Sequence, residues 1–572
     1  MTSDRIGRIM TEPLRQTPHD VDCLILGGGI TGAGAARDAA MRGLSVLLVD
    51  SDDFASGTSH LTSKLIHGGL RYLEYGQFRM VLEGVSERNR LLNHVAPNLV
   101  RPIRFVVPVE EHHLSSWLLQ SSALKLYDLM GLFDGGRRSR SIGRVAFVKS
   151  FPFARPYPWA MTFWDAQTND ARLVLATLRT AEDAGACLMN YASLVAARRN
   201  TAGWHIHLED RHTGVIYAVT ARTIINATGP WAPKTSESLG VRPKALTWLK
   251  GTHIVLDRFP RFGQDAVVIR SVRDDRALWV VPWENRLLVG TTESRYGGDL
   301  RQVRPTVSEV GDLFESFVAG FPGLGATPDH LRMAFAGVRP IIEQDIENES
   351  ALSRHYEIDV DAQHRLITVS GGKLTTFRRM AEHAVDQVCL MLGRRPVGRR
   401  ARQRLRSEAL WPGLVRGGPV DVHSSLTRQA READLRESVI THLIRHYGVE
   451  AARIVGDMFE DPRTAEPLIE GLPHTLAEVA YLSRREHVRT LSDLVRRRTS
   501  LYFLADRELL PVLPRIARQV GDVLGWDQRR RDAEIAHVQS DLDEDTRALS
   551  EYQRTVRLPP PQETRSPAAV TA

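Results

Sequence analysis

The sequence has few cysteines and no long apolar run. Its 572 residues include only three cysteines, Cys23, Cys187 and Cys389, which are far apart and lack CxxC spacing. This scarcity excludes a disulfide framework and a cysteine zinc site, so no metal site is expected, and a reducing cytoplasm is the predicted compartment. The first 20 residues have no apolar core of signal-peptide length, and no stretch reaches the roughly 18 apolar residues that a membrane-spanning helix needs, so no span is predicted.

A strong excess of one charge is also missing. The chain carries 75 Lys and Arg against 68 Asp and Glu, a formal charge of +7. The basic excess is concentrated in residues 393–406 and in the arginine triplets 496–498 and 529–531. Such runs can contact nucleic acid or anionic lipid, but no nucleic-acid-binding fingerprint accompanies them. We interpret them as a solvated linker and solvated helix faces, and expect no nucleic-acid partner.

A glycine-rich turn near the amino terminus is the most informative motif that is present. The segment GGGITGAG begins at Gly27, follows an apolar strand and opens a predicted helix. Gly27, Gly29 and Gly32 suit a tight turn, a close approach to a pyrophosphate and tight helix packing. Asp50 ends the next apolar strand, where it can bind a ribose. The pattern predicts a bound adenine dinucleotide on the helix amino end, and the acid disfavours NADP.

The rest of the chain divides into regions of different periodicity. An amphipathic helix is predicted over 170–186, strands within 204–229, and a separate antiparallel sheet between 248 and 292. A strand, a glycine pair and a helix follow within 365–392. Residues 114–133 form an apolar helical stretch that fits either a membrane surface or the protein body.

Eight segments occur in the order found in one enzyme family. They are LILGGGITGAGAARDAAMRGLSVLLVD, TSKLIHGGLRYLE, DARLVLA, NATGPW, KGTHIV, LLVGTTE, GVRP and SGGKLTTFR. Over about residues 22–388, and more loosely over 476–504, the chain resembles the FAD-dependent (aerobic, respiratory) glycerol-3-phosphate dehydrogenases. The resemblance implies FAD as cofactor and an α/β fold: an FAD-binding Rossmann-like domain, an antiparallel-sheet substrate domain like that of D-amino-acid oxidase, and a C-terminal α-helical domain.

The resemblance also implies domain boundaries. The expected order is a flexible tail (1–20), a discontinuous FAD-binding domain (21–105, 160–235 and 330–392), a substrate-binding domain (106–159 and 236–329), a basic linker (393–406), a helical domain (407–545) and a disordered tail (546–572).

Glycerol 3-phosphate carries a phosphate dianion, which requires converging cations. The family motifs place Arg71 beside Tyr72, and place Arg339, Arg354 and Lys373, with Thr375, where the family binds substrate. Arg339 is also expected to stabilise a developing alkoxide.

The reaction requires a base for the C2 hydroxyl proton while a hydride leaves C2. His253 in KGTHIV is the candidate base because its ordinary pKa lies near neutrality. His67 is a second, weaker candidate.

The cofactor contacts implied by the resemblance form a larger set. They are Gly27, Gly29, Gly32, Asp50, Thr58, Ser59, Thr62, Lys64, Gly229, Gly372, Lys373, Leu374 and Thr375. The chain departs from the family pattern at His60, Thr62 and Glu293, which leaves the details of the flavin loop open.

Three functions remain open from the sequence. The first is a dehydrogenase that passes electrons to a quinone, cytoplasmic and peripheral on the inner face of the cell membrane. The second is an oxidase that makes hydrogen peroxide from oxygen. The third is a catalytically silent FAD or anion-binding protein. The oligomeric state also stays open, with a homodimer among the alternatives.

Overall fold

The computed structural model describes residues 18–557, except 74–75, 110–121, 123, 132–136, 343–354, 396–397, 399–404, 407, 411–425, 430 and 432–434. The expected tail before residue 18, most of the basic linker and residues 558–572 therefore lie outside the described residues.

The strands of the described residues form two sheets. In chain order they are β1 Asp20–Leu26, β2 Val46–Val49, β3 Leu65–Ile66, β4 Arg101–Val109, β5 Arg140–Gly143, β6 Trp159–Gln167, β7 Cys187–Met189, β8 Ala192–Arg199, β9 Trp204–Asp210, β10 Ile216–Asn226, β11 Leu246–Asp257, β12 Ala266–Arg270, β13 Ala277–Trp283, β14 Arg286–Gly290, β15 Ser294–Arg295, β16 Leu331–Ile342, β17 Tyr356–Asp361 and β18 Leu366–Gly371.

The helices follow the same order along the chain. They are α1 Ile30–Met41, α2 Phe78–Arg90, α3 Arg144–Ser150, α4 Asp170–Asp183, α5 Ala232–Ser238, α6 Val307–Gly320, α7 Phe377–Met391, α8 Glu437–Tyr447, α9 Ala451–Glu460, α10 Leu476–Arg485, α11 Leu491–Asp493, α12 Leu501–Ala505, α13 Leu513–Leu524, α14 Gln528–Asp545 and α15 Arg547–Arg557. None of the described helices is both long and apolar enough to cross a bilayer.

The first sheet is the nucleotide-binding layer. Its order is β17-β18-β10-β1-β2-β7, and β9 and β8 extend it from β10. β18, β10, β1, β2 and β7 are parallel, so their carboxyl ends meet at one edge. Helices α1, α4 and α7 cover one face through a core of small and aliphatic side chains, and β8 and β9 cover part of the other. This is the Rossmann-like domain that the sequence predicts.

The second sheet is mostly antiparallel. Its order is β15-β11-β14-β13-β12-β4-β6-β3, with β16 beside β11 and β5 beside β6. Alternate residues face opposite cores: Ile254 packs toward α6, whereas Val255 packs toward the C-terminal helices. The sheet is therefore buried on both faces, and it confirms the predicted antiparallel substrate layer.

The expected domain boundaries require correction at four strands. β3, β4, β6 and β16 all belong to the second sheet, although the predicted FAD-binding segments included residues 65–66, 101–105, 160–167 and 330–342. The apolar period of two in a sequence predicts a strand, but it does not predict the sheet in which that strand pairs.

The C-terminal region differs from its prediction at two places. Residues 547–557 form helix α15, whose Leu549 and Tyr552 pack into the core beside α6, so the predicted disordered tail is wrong there. The arginines at 496–498 are also not on a solvated face. Arg497 and Arg498 are buried, and Arg496 pairs with Asp541 and Asp545.

The apolar stretch at 114–133 is described only in part. Residues 124–130 are helical, with Leu124 and Tyr127 buried and Leu129 exposed. Trp117 and Leu118, which belong to the same apolar stretch, lie outside the described residues.

Candidate active site

The glycine turn connects β1 to α1 at the carboxyl edge of the parallel sheet. A Cβ on Gly32 would lie 1.8 Å from the carbonyl oxygen of Gly27, and one on Gly27 would lie 2.6 Å from that of Ala227. No side chain larger than hydrogen fits at either position. Helix α1 begins at Ile30, and the residue before it, Gly29, has no side chain to cap the first N–H groups, which point toward the turn.

Asp50 follows β2 and closes the other side of this turn. Its Oδ2 accepts a hydrogen bond from Gly28 N at 2.7 Å, and its Oδ1 accepts one from Asp52 N at 2.9 Å. Loss of surrounding water raises the pKa of this carboxyl to about 7. The uncapped helix, the tight glycines and the acid together fit the pyrophosphate and ribose of a dinucleotide.

The loop after Asp50 contains four predicted cofactor residues, and two of them face the turn or the second sheet. Ser59 Oγ accepts a hydrogen bond from Ile30 N at 3.0 Å and lies over Gly29. Thr58 Oγ1 donates to the carbonyl of Val338 at 2.6 Å and ties the loop to β16. The loop therefore joins the glycine turn to the substrate sheet.

The side chains of Thr62 and Lys64 have a different partner from the one predicted. Thr62 Oγ1 donates to Asp170 Oδ2 at 2.7 Å, and Lys64 Nζ donates to Asp170 Oδ1 at 2.6 Å. Lys64 is buried, with Nζ 5.8 Å from the ring centroid of Phe503 in the helical domain. Both side chains hold the loop on α4, and their contact with the cofactor stays a prediction.

The remaining predicted cofactor residues lie at the same sheet edge. Gly229 follows β10, and apart from its own chain neighbours no described residue has an atom within 4 Å of the place where a Cβ would stand. Gly372 follows β18, and Lys373 and Leu374 begin the turn that leads into α7. Thr375 Oγ1 donates to His67 O at 3.2 Å and accepts from His67 N at 3.1 Å. His67 thus has a structural role through its backbone.

Lys373 and Tyr72 meet although they are far apart in the sequence. Lys373 Nζ lies 3.7 Å from the ring centroid of Tyr72 and 3.0 Å from Met80 Sδ of α2. Arg71 adjoins this pair in the short helix Leu70–Leu73, where only its backbone is described. Arg354 lies outside the described residues. Two of the predicted substrate-binding side chains, Lys373 and Tyr72, are therefore brought together at one place.

Arg339 lies on β16, opposite Leu249 of β11. Its Nη2 donates to Thr291 Oγ1 at 3.1 Å, and its Nη1 lies 3.4 Å from Glu293 Oε1. A Cβ on Gly251 would lie 2.6 Å from Arg339 Nη2, so a larger residue at this position would clash with the guanidinium. Glu293 is thus a positioning partner of Arg339, and sequence reasoning missed Thr291 because nothing in the motif reports this contact.

His253 lies on the neighbouring strand β11 and is buried. Its ring stacks on Phe335 with centroids 5.1 Å apart, and its Nε2 lies 2.9 Å from Ser63 Oγ. Its Nδ1 has no hydrogen-bond partner among the described residues. Burial, with the charges of Arg339 and Lys64, holds the pKa of His253 well below its ordinary value. The imidazole is therefore neutral, and Ser63 is a positioning residue that the sequence analysis did not select.

Comparisons with known proteins agree with this geometry. The family model described as FAD dependent oxidoreductase matches residues 22–387, and the C-terminal domain of alpha-glycerophosphate oxidase matches residues 415–531. Glycerol-3-phosphate dehydrogenase of Synechocystis sp. is 32% identical over 90% of this chain and 95% of its own length. The chain belongs to the FAD-dependent glycerol-3-phosphate dehydrogenase family.

Other members of the glycerol-3-phosphate dehydrogenase family extend the comparison. Aerobic glycerol-3-phosphate dehydrogenase of Escherichia coli is 33% identical over 85% of this chain and 95% of its own length. The crystal structure of glycerol-3-phosphate dehydrogenase from Bacillus halodurans complexed with FAD superposes with a TM-score of 0.73 at 26% identity, and covers 92% of this chain and 95% of that one. The predicted family, fold class, FAD cofactor and oxidoreductase class are confirmed.

Proposed function

We propose that this protein oxidises sn-glycerol 3-phosphate to dihydroxyacetone phosphate. The C2 hydrogen leaves as a hydride with its electron pair, the hydroxyl proton goes to a base, and C2 becomes a carbonyl carbon. FAD, when bound, supplies the hydride acceptor. The observation that carries the proposal is the contact of Lys373 with Tyr72 beside the carboxyl edge where the dinucleotide is predicted to bind.

The cationic side chains suit the phosphate of this substrate. Lys373 offers a point charge, and Arg339 offers a planar fork of donors that matches a phosphate or an alkoxide. Arg71 and Arg354 join this set by their places in the family motifs. If these cations converge on the substrate, they favour a phosphorylated polyol over an uncharged one.

His253 suits the role of the base. When Nε2–H donates to Ser63, the lone pair of Nδ1 stays available for a proton. A base is effective only while it is unprotonated, and the lowered pKa keeps His253 in that form at neutral pH.

A quinone in a membrane surface is the proposed electron acceptor. Phe78 and Leu82 on α2 are 49% and 48% exposed, and Leu129 on the adjoining helical segment is 58% exposed. Helix α2 also carries Met80, which touches Lys373, so this apolar surface lies beside the site. Exposed apolar side chains on surface helices are typical of proteins that dock on a bilayer.

The test is anaerobic reduction of the bound flavin. Purified protein is mixed with glycerol 3-phosphate, and the absorbance of the oxidised flavin is followed in a stopped-flow instrument. Rapid bleaching by glycerol 3-phosphate, but not by glycerol or sarcosine, supports the proposal. Absence of bleaching with the phosphorylated substrate overturns it and favours a catalytically silent FAD protein.

A four-carbon substrate is the competing candidate. D-Erythritol 1-phosphate dehydrogenase of Brucella abortus is 33% identical over 85% of this chain, as similar as the glycerol-3-phosphate dehydrogenases. D-Erythritol 1-phosphate is therefore included in the same experiment. A higher kcat/KM for it than for glycerol 3-phosphate would assign the protein to the longer polyol.

The electron acceptor is tested separately. With saturating substrate, a dehydrogenase reduces a water-soluble quinone and forms little peroxide in air. One hydrogen peroxide per substrate oxidised, in the absence of quinone, would instead identify an oxidase. Co-sedimentation with vesicles that contain anionic lipid tests the peripheral membrane location, and a Phe78→Ser, Leu82→Ser variant is expected to lose it.

A further inference from the structure

Two consecutive arginines of the helical domain reach into the nucleotide-binding domain. Arg498 Nη2 donates to Asp53 Oδ1 at 2.8 Å, while Arg498 Nη1 and Arg497 Nε both donate to Asp53 Oδ2. Arg498 Nη2 also donates to the carbonyls of Glu486 at 2.8 Å and His487 at 3.2 Å. All three charged side chains are at least 92% buried. One carboxylate of the FAD domain thus receives two guanidinium groups from the C-terminal domain.

This ion cluster has a balanced charge. Arg497 Nη2 donates to Asp493 Oδ1 at 2.9 Å, so two arginines face two aspartates. Asn190 Nδ2 adds a donor to Asp53 Oδ1 at 2.9 Å. The arginines hold the pKa of Asp53 well below its ordinary value, although burial acts in the opposite direction. Removal of one partner from such a cluster leaves a buried charge without compensation, which is strongly unfavourable.

The loop that carries Asp53 forms a wall of the glycine turn. The adjacent Phe54 is fully buried, and a Cβ on Gly28 would lie 2.5 Å from its ring. Ala55 N donates to Gly28 O at 3.1 Å, and Gly28 N donates to Asp50 Oδ2 at 2.7 Å. The loop therefore contacts both sides of Gly28, within the turn that receives the pyrophosphate.

The helical domain also touches this loop through an aromatic contact. The Phe54 ring meets the His487 ring edge to face, with centroids 5.4 Å apart. The contacts run from Arg498 through Asp53 and Phe54 to Gly28, and each step in this path is direct. The position of the glycine turn thus depends on side chains that come from the far end of the chain.

We propose that Arg497 and Arg498 are positioning residues for FAD. They fix residues 50–55 in the conformation that presents Asp50 and Gly28 to the adenosine half of the dinucleotide. Docking of the helical domain and binding of FAD are therefore coupled, and by linkage each strengthens the other equally. Neither arginine touches the cofactor.

The test measures FAD affinity rather than turnover. Apoprotein is titrated with FAD, and the dissociation constant is obtained from the quenching of flavin fluorescence. Arg497→Gln and Arg498→Gln are each expected to raise it about tenfold or more, which corresponds to at least about 1.4 kcal/mol. Arg496→Gln is the matched control, because this arginine pairs with Tyr502, Asp541 and Asp545 within the helical domain.

Urea unfolding of the three apoproteins separates affinity from stability. A merely structural role predicts that all three variants lose stability but that the folded fractions bind FAD equally well, and this result would overturn the proposal. If Arg498→Gln does not fold, Arg497→Gln and Asp53→Asn provide the same comparison. In the wild type, FAD is also expected to slow amide exchange across residues 491–500. Equal exchange with and without FAD would contradict the coupling.

Discussion

At the scale of single residues, the surroundings of His253 decide how the site responds to pH. The ring lies between Phe335 and Gly290, where a Cβ would approach its Cδ2 to 2.3 Å. His253→Asn is expected to slow flavin reduction about 100-fold or more, the usual contribution of a general base, with FAD content unchanged. Stopped-flow reduction measures this rate. His207 is an exposed histidine on β9, and His207→Asn serves as the control. A normal rate in the His253→Asn variant would exclude His253 as the base.

The same environment predicts a pH profile. The pKa of His253 is lowered by burial, then by Arg339 and Lys64, so the base stays unprotonated even at pH values below the ordinary pKa of histidine. The rate of flavin reduction at saturating substrate is therefore expected to be level between pH 6 and 8. An acid limb centred near 6.5, the ordinary pKa of histidine, would show that another histidine titrates in the rate-limiting step.

Arg339 is expected to contribute mainly to substrate binding. Arg339→Ala removes a charge-assisted donor, which is worth about 1.5–3 kcal/mol, or a roughly 10- to 150-fold weaker affinity for the phosphorylated substrate. Bound FAD should remain. Arg332→Ala is the control, since this arginine lies on the same strand but pairs with Asp257. Equal substrate affinity in both variants would remove Arg339 from the site.

At the scale of elements, helix α15 completes the core beside the second sheet. Leu549 is buried against α6, and Tyr552 meets Phe314 with centroids 6.0 Å apart. Leu549→Ala is expected to lower the free energy of unfolding by about 2–5 kcal/mol, as for other buried leucines. Urea or thermal unfolding checks this value against Glu551→Ala on the exposed face. A similar midpoint for the two variants would mean that the helix does not stabilise the fold.

The elements also show what the sequence predicts well. Strand β1, helix α1 and strand β2 can be predicted from local signals. The glycines, the apolar periodicity and the aspartate that follows β2 all lie within about thirty residues of one another. The pairing of β4, β6 and β16 cannot be predicted in this way, since a strand's partner is set by distant segments. The hydrogen bonds of Thr62 and Lys64 do not follow from local signals for the same reason, because their partner Asp170 comes about a hundred residues later.

The candidate site divides in the same way. The motifs predict Asp50, Gly32, Lys373 and Tyr72 as site residues, and the structure brings the last two into contact. Ser63 and Thr291 were missed because each acts on a residue of another strand. The arginine triplet was misread because a charged run looks the same in sequence whether its partners are water or buried aspartates.

At the scale of the whole molecule, buried histidines predict sensitivity to mild acid. Burial lowers the pKa of four of them: His446 to about 3, His474 to about 4, and His60 and His253 well below 6.5. Below pH 6.5 these histidines bind protons in the unfolded chain but not in the folded chain, so the free energy of unfolding falls as the pH falls. Between pH 7.5 and pH 5.5 each of these histidines lowers the free energy of unfolding by about 1.4 kcal/mol.

The measurement is the unfolding midpoint in urea at the two pH values. His446→Gln should lose less stability on acidification than the wild type, whereas His537→Gln, which changes an exposed side chain, should lose as much. A midpoint that does not depend on pH in this range would show that these histidines take up protons without unfolding.

The strand order of the first sheet has a consequence for how the protein is made. β1 pairs with β10, and β10 pairs with β18, so the parallel layer is incomplete until residue 371 has been synthesised. The ion pairs of Asp53 form later still, because their partners Arg497 and Arg498 are synthesised near the end of the chain. Most of the chain is therefore synthesised before the cofactor can bind. During nearly the whole of translation the apolar strands β1 and β2 lack their partners and are exposed to aggregation.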